Sequence, residues 1–190
     1  MDVRLVFWCL SLAALAQLSL GCAGTDVDIT KAFEATDLTT GWLDVGFDEF
    51  GRNKLVPTVS FQLENVSAES LRIVQVNGVF RRCLITYAGP PEPASDVSPA
   101  NPTTGTCHGE TEVWGNVFLR AVGRDGLEPS SSVGPFTMQS DLGYTGEQPR
   151  VEMLRHRSFV DAKVEIFIKH GSNQWVRFNE YPIDRQLLTQ

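Results

Sequence analysis

The chain has 190 residues, of which 42% are hydrophobic, and its formal net charge at pH 7 is −7. The charged residues are distributed along the chain and form no basic stripe, which argues against a nucleic-acid partner. About 170 residues remain after removal of a targeting segment, enough for one domain that buries about 70% of its unfolded surface.

The N-terminal segment differs in composition from the rest of the chain. The run from Leu5 to Leu20 is almost wholly apolar and is followed by Gly21 and Cys22. This run is too short for a comfortable membrane span and has the layout of a secretory signal peptide. We therefore expect residues 1–21 to be a signal peptide.

The end of this segment resembles a bacterial lipobox, in which small residues precede a cysteine that is lipidated and becomes the mature N-terminus. Gly21 and Cys22 match that motif. The resemblance implies an exported lipoprotein, held at its membrane by acyl chains on Cys22. Ala23 stands where the enterobacterial sorting rule places the aspartate of inner-membrane lipoproteins, so the outer membrane is favoured over the inner membrane. The alternative is an ordinary signal peptide, cleaved at Ala23 or Gly24.

The residues after Cys22 are polar and mixed up to about residue 40. They predict a spacer that merges into a first, weak strand. We therefore expect a lipidated N-terminus and tether over residues 22–40 and a β-sandwich domain over residues 41–190.

Short apolar runs alternate with turn residues beyond the tether. In the run Leu55 to Glu64, the residues Val59, Phe61 and Leu63 alternate with polar residues, which is typical of a half-buried strand. Pro57 is expected at a strand start or a sheet edge, because it has no N–H to donate. Further strands are predicted over residues 42–47, 71–82, 113–122, 133–138, 162–170 and 175–178. The apolar parity changes between residues 73 and 74, which indicates a bulge or a strand buried on both faces.

The clearest pattern is a hairpin between Ala162 and Phe178. Alternate residues from Ala162 to Ile168 are apolar, and Gly171 can supply the positive φ that short hairpin loops need. A half-buried hairpin is not stable alone, so the upstream strands must cover its apolar face.

A helix is plausible only over residues 143–161, near Pro149, with Val151, Met153, Leu154 and Phe159 as candidate buried residues. For residues 179–190 a short helix and an ordered tail are both open.

About seven short strands separated by turn residues predict an all-β fold, an antiparallel β-sandwich. The run 59–67 followed by 71–76 resembles the strand, Asn-turn, strand unit of FxLYD-type and related immunoglobulin-like domains of bacterial envelope proteins. In those domains a later Leu-x-Pro-Gly turn leads into a strand with a Phe, and Leu127, Pro129, Ser130 and Phe136 lie correspondingly. Ser130 replaces the Gly, and Val79-Phe80-Arg81 stands in place of Leu-Tyr-Asp. The resemblance covers about residues 60–140 and implies an immunoglobulin-like fold and an envelope location, without catalytic residues.

Two cysteines, Cys83 and Cys107, flank a segment that holds five of the ten prolines. In an exported protein such a pair predicts a disulfide at the base of this loop, and two free buried thiols are the alternative. Neither cysteine belongs to a Cys-x-x-Cys motif, so redox catalysis and zinc binding are not indicated.

A weak candidate metal site consists of His108, Glu110 and Glu112, which alternate along one face of a strand. No fourth ligand is visible, and a solvated strand edge is the simpler interpretation.

Other residues that attract attention have structural interpretations. Trp42, Trp114 and Trp175 are expected to cover the core or the sheets rather than form a ligand platform. Asn65-Val66-Ser67 is formally a glycosylation acceptor, but it is more simply a turn.

No catalytic motif is recognisable in the sequence, and no cofactor is indicated. The sequence therefore predicts a non-catalytic protein-interaction or accessory module that contacts an unidentified envelope protein through edge strands or loops. The alternative is a small-molecule or metal-binding periplasmic lipoprotein, with His108 and Glu110 as the candidate ligands.

Overall fold

A computed structural model describes residues 27–84, 107, 109–156 and 159–188. In chain order the described elements are α1 (Ile29–Ala32), β1 (Phe33–Phe47), β2 (Asn53–Asn65), β3 (Val74–Cys83), β4 (Thr111–Val122), β5 (Ser132–Gln139), β6 (Tyr144–Gly146), α2 (Arg150–Arg155), β7 (Ala162–His170), β8 (Val176–Pro182) and β9 (Leu187–Leu188). Neither described helix is long and apolar enough to cross a membrane. The predicted signal peptide, Cys22 and the proline-rich segment 88–106 lie outside the described residues.

The strands form two sheets that pack face to face. Sheet 1 has the order β5-β2-β1-β9, and β6 also pairs with β2; sheet 2 has the order β4-β3-β7-β8. The strand pairs are antiparallel except for β1 and β9, which run parallel at Trp42 and Leu43. The predicted all-β sandwich is confirmed at this level.

The core lies between the inner faces of the two sheets. Strand β2 contributes Leu55, Val59, Phe61 and Leu63, and β7 contributes Ala162, Val164, Ile166 and Ile168, all of them buried. These two sets are the alternating apolar residues of the sequence, so the period-two pattern identifies the inner face correctly. Trp42 is fully buried at the centre and packs edge-to-face on Phe159, with 4.6 Å between the ring centroids.

The predicted hairpin is present, and a bulge is the alternative that the structure shows at the start of β3, where the register with β4 shifts between Val74 and Gln75. Gly171 follows β7 with φ of +56°, and its N–H donates to the carbonyl of Ile73 at 2.9 Å. Ile73 itself has φ of +54° and precedes the regular pairing of β3. The irregular backbone at Ile73 is the reason why the apolar parity changes between Ile73 and Val74.

The expectation for Pro57 is wrong, because Pro57 lies inside β2 and opposite Trp42 of β1. Its carbonyl accepts from the N–H of Ser140, so its missing N–H also points toward the chain between β5 and β6. That interval contains Gly143, where an added Cβ would lie 2.1 Å from the carbonyl oxygen of Leu55. Proline is tolerated here since the neighbouring strand is interrupted where its ladder hydrogen bond would have formed.

The ends of the domain differ from the expected boundaries. Strand β1 already begins at Phe33, so residues 33–40 belong to the sandwich rather than to a tether, and α1 precedes it. Helix α2 has Pro149 at its N-cap position and buries Met153 and Leu154, but Val151 is exposed because it lies on the other side of this short helix. Of the two alternatives for residues 179–190, the described residues show an ordered tail, whose last strand is β9, and no helix.

The sandwich has two distinct ends. We call proximal the end that carries α1, the β2–β3 and β4–β5 connections and the β7–β8 loop. We call distal the end that carries the β1–β2 turn, Cys83, α2 and the β8–β9 connection. The described chain therefore begins at the proximal end, and the proline-rich segment leaves from the distal end.

Asn65 ties together the two connections that cross between the sheets at the proximal end. Its side-chain Nδ2 donates to the carbonyls of Glu69 and Leu127, each at 2.8 Å, and its Oδ1 accepts from the N–H and the hydroxyl of Ser67. Its backbone bonds to Ser130 and Ser131. Asn65 is completely buried, so the turn interpretation is confirmed and the formal glycosylation acceptor is not accessible in the folded domain.

Arg185 ties together two connections at the distal end, as Asn65 does at the proximal end. Its guanidinium donates to both carboxylate oxygens of Asp161, at 2.6 and 2.8 Å, and lies 5.4 Å from the ring centroid of Phe159. Asp161 precedes β7 and Arg185 lies between β8 and β9, so this pair joins the other two crossings between the sheets. The hydrogen bond with Asp161 raises the pKa of Arg185 above its ordinary value.

We expect Asn65→Ala to lower the free energy of unfolding by about 2 kcal/mol or more, because it removes the buried amide that bonds to Glu69, Leu127 and Ser67 and so joins the two connections. Urea denaturation followed by fluorescence measures this change. The matched control is Asn173→Ala in the exposed β7–β8 loop, which should change stability by less than about 0.5 kcal/mol. Equal midpoints for the two variants would contradict the role assigned to Asn65.

Candidate interaction surface

Two phenylalanines are exposed at the distal end, where β1 turns into β2. Phe47 is the last residue of β1 and is 66% exposed, and Phe50 in the turn is 74% exposed. A register shift between Asp44 and Phe47 turns Phe47 to the face of β1 that Asp44 occupies. We call Phe47, Phe50, Arg52 and Arg150 the distal tip.

Arg150 is held beside Phe47 by an ion pair with Asp44. Its guanidinium carbon lies 5.3 Å from the centroid of the Phe47 ring, and its Nε contacts the Asp44 carboxylate. That carboxylate also accepts the N–H of Gly46 at 2.9 Å. The hydrogen bond from Arg150 holds the pKa of Asp44 below its ordinary value of 3.8. The cation is thus positioned over the aromatic ring from the start of α2.

Arg52 has the same relation to Phe50. The Arg52 guanidinium carbon lies 5.3 Å from the Phe50 ring centroid, and its Nε donates to Asp48 at 2.8 Å. Asp48 also accepts the backbone N–H groups of Phe50 and Arg52, at 3.0 and 2.8 Å. Desolvation raises the pKa of Asp48, but these hydrogen bonds outweigh it and the pKa lies below 3.8. Asp48 therefore fixes the whole turn.

The composition of the distal tip is typical of a protein-binding surface. Aromatic residues and arginine are enriched at the centres of protein interfaces, where they contribute most of the binding energy. Two exposed aromatic rings, each with an arginine placed over it, present apolar area together with hydrogen-bond donors. Since Asp44 and Asp48 already orient the arginines, less side-chain freedom is lost when a partner binds.

The predicted disulfide lies at the same end of the sandwich. Cys83 ends β3, and its Cα is 5.2 Å from that of Cys107, so the two cysteines are at disulfide distance and are joined. The Cys83 N–H donates to the carbonyl of Asp161 at 2.8 Å, which attaches the base of the proline-rich segment to the start of β7. The segment between the cysteines therefore leaves the sandwich at its distal end, the end that carries the distal tip.

The candidate metal ligands are only partly within the described residues. His108 lies outside them, and Glu110 is exposed. Glu112 accepts from Arg82 Nε at 2.8 Å, so its carboxylate already has a cationic partner. Among the described residues no group of three or more His, Cys, Asp and Glu side chains could hold a metal ion.

The three tryptophans of the domain occupy different environments. Trp42 is in the core, and Trp114 packs edge-to-face against it with 6.1 Å between ring centroids. Trp175 lies on the outer face of sheet 2, is 39% exposed, and contacts Phe118 with 5.9 Å between centroids. The expectation that these residues cover the core or the sheets is met by Trp42 and Trp114, whereas Trp175 remains accessible.

A groove of about 450 Å³ crosses the outer face of sheet 1. It is rich in hydroxyl groups and is lined by Thr39, Leu43, Thr58, Ser60, Thr137, Gln139 and Leu188. Three of the hydroxyls are already bonded, since Thr137 Oγ1 donates to Ser60 Oγ at 3.3 Å and Thr58 Oγ1 donates to the carbonyl of Val56 at 3.3 Å. The groove offers hydrogen bonds to a small polar molecule but presents no charged side chain.

The sequence interpretation did not single out the distal tip. Strict alternation would place Phe47 on the outward face with Leu43 and Val45, but the register shift after Asp44 turns it to the opposite face, so alternation in the sequence did not show where Phe47 lies. The pairing of Arg150 with Asp44 was not available from the sequence either, because it depends on the distance between two remote elements. No protein-family model matches the chain, and no curated protein sequence matches it significantly.

We expect Arg150→Met to raise the pKa of Asp44 toward 3.8, because the substitution removes the hydrogen bond that lowers it. NMR titration of the Asp44 carboxyl carbon measures this pKa. Since the pKa is lowered in the folded protein, the contribution of this pair to stability is present above pH 3.8 and is lost as the pH falls through the folded value. Arg155→Met, at the other end of α2, is the control, and a shift of Asp44 in that variant alone would refute the assignment.

Proposed function

We propose that the chain is a lipid-anchored cell-envelope protein that acts as a non-catalytic interaction module and presents its distal tip to a protein partner. The anchor is the acylated Cys22, at the outer membrane in preference to the inner membrane. This proposal rests on one observation, that two features lie at opposite ends of the sandwich. The described chain begins at the proximal end, and the exposed phenylalanines with their arginines lie at the distal end.

The dimensions of the sandwich support this arrangement. Strand β1 runs from the proximal to the distal end over 15 residues, which corresponds to about 50 Å. An anchor close to the start of β1 would hold the proximal end near the bilayer and the distal tip about that far from it. A partner in the aqueous space between the membranes could then reach Phe47 and Phe50.

One backbone feature supports the resemblance to FxLYD-type, immunoglobulin-like envelope domains. Ser130 occupies the position of the family's turn glycine, and its φ is +59°, a conformation that glycine adopts most readily. The turn therefore has the backbone geometry that a glycine at this position would serve. We include an immunoglobulin-like domain of this type in the proposal.

Small-molecule binding is the second candidate function, and the hydroxyl-rich groove on sheet 1 is the observation that favours it. In that case Thr58→Val and Ser60→Ala would abolish binding, while substitutions in the distal tip would have no effect.

We expect Cys22→Ser to release the protein from the membrane fraction, because the thiol that receives the lipid is lost. Fractionation of cells followed by immunoblotting measures this distribution. The control is Cys83→Ser combined with Cys107→Ser, which leaves Cys22 intact and should keep the protein in the membrane pellet. Persistence of the Cys22→Ser variant in that pellet would mean that another segment anchors the protein.

We expect a photo-crosslinker placed at Phe50 to give one dominant protein adduct in intact cells, because Phe50 is the most exposed phenylalanine of the distal tip. The matched control is the same crosslinker at Val66, which is exposed at the proximal end. The adduct should disappear when Phe47 is replaced by Ser. Deletion of residues 88–106 should remove it only if that segment also contacts the partner. Equal labelling at Phe50 and Val66, or no discrete adduct at Phe50, would contradict the proposal.

A further inference from the structure

A second exposed aromatic cluster lies on the outer face of sheet 2. Phe118 of β4 is 58% exposed and Trp175, just before β8, is 39% exposed, and their rings are in edge-to-face contact. The Lys169 ammonium lies 6.0 Å from the centroid of the Trp175 ring. Phe118 and Trp175 thus form an accessible apolar surface with a cation beside it.

The same surface carries a second cation. Gln75 of β3 is paired with Arg120 on one side and with Lys169 on the other, so the three side chains lie next to each other on the outer face. Among the described residues neither Arg120 nor Lys169 forms an ion pair. We call Phe118, Arg120, Lys169 and Trp175 the basic-aromatic surface.

This surface lies near the point where the chain enters the domain. Val27, the first described residue, lines a depression together with Ser172, Gln174 and Val176 of the β7–β8 hairpin. Trp175 stands between Gln174 and Val176 in the chain and points to the opposite face of the hairpin, toward Phe118. The N-terminal chain and the basic-aromatic surface therefore share the proximal end.

The length of chain between Cys22 and Val27 limits how far the domain can move from an anchor. Five residue steps separate the two positions, and a fully extended chain of that length spans at most about 18 Å. The proximal end must then stay close to the lipid headgroups for any conformation of these residues. Tryptophan is enriched at that level of a membrane, and lysine or arginine attracts anionic lipid.

We propose that the basic-aromatic surface rests on the bilayer, with Trp175 and Phe118 at the headgroup level and with Arg120 and Lys169 against anionic phospholipid headgroups. This inference rests on the proposed acylation of Cys22, which supplies the short tether. The chain as a whole carries a net charge of −7, so general electrostatics would oppose contact with an anionic membrane. Arg120 and Lys169, which form no ion pair among the described residues, give this surface a local positive charge that favours the contact.

The test uses the mature acylated protein in vesicles of phosphatidylcholine and phosphatidylglycerol whose acyl chains carry bromine near the headgroup. Bromine quenches tryptophan fluorescence only at short range, so quenching reports which part of the domain touches the bilayer. Comparison of the wild type with Trp175→Phe isolates the signal of Trp175. The matched distal reporter is F50W in the Trp175→Phe background, since Phe50 is highly exposed at the other end.

We expect the Trp175 signal to be quenched at least twofold more strongly than the F50W signal. The double substitution Arg120→Glu, Lys169→Glu should reduce the quenching of Trp175 to the F50W level while the protein still sediments with the vesicles. Equal quenching of the two reporters in protein whose acylation is confirmed by mass spectrometry would overturn the membrane contact and leave the anchor intact. Protein that is not acylated and does not sediment would overturn the anchor, and the inference with it.

A protein partner for the same surface is the competing outcome. A photo-crosslinker at Phe118 in intact cells should label lipid. A discrete protein adduct at Phe118 would show that the surface is occupied by a protein, and the proposed membrane contact would be wrong.

Discussion

The side chain of Asn65 holds the two sheets in register at the proximal end. The β2–β3 connection passes from sheet 1 to sheet 2, the β4–β5 connection passes back, and Asn65 bonds to Glu69 in the first and Leu127 in the second. A buried amide must satisfy both its donors and its acceptor, so it accepts only one geometry of these turns. The Arg185 pair with Asp161 joins the other two crossings at the distal end. With both ends tied, the apolar faces between them have a fixed alignment.

This construction separates the two surfaces that the sandwich exposes. The distal tip depends on the β1–β2 turn and the start of α2, whereas the basic-aromatic surface depends on β4 and the β7–β8 hairpin. They share no residue and lie on different sheets and at different ends, so substitutions at one should act independently of the other. An anchored module with one face toward lipid and the other toward a partner needs this independence.

The sequence predicted the strands well because their inner faces follow strict alternation, as in Val59, Phe61 and Leu63 or in Ala162 to Ile168. It misplaced Pro57 because a proline inside a strand is acceptable only where the neighbouring strand is interrupted, and that interruption between β5 and β6 depends on tertiary structure. It also missed the start of β1 at Phe33, where polar residues alternate poorly. The candidate surfaces were predictable only in part, since the arginine over Phe47 and the tryptophan against Phe118 come from elements remote in sequence.

The parallel pairing of β9 with β1 affects the order in which the domain folds. The last described strand, Leu187–Leu188, completes the edge of sheet 1 beside Trp42 and Leu43, which belong to the first strand. Leu188 also covers Gly41, where an added Cβ would meet its side chain at 2.7 Å. Contacts between residues so distant in sequence form late, because closing the intervening loop is entropically costly. During synthesis or transport from the N-terminus, β1 would therefore lack its partner on this side until residues 187–188 have emerged.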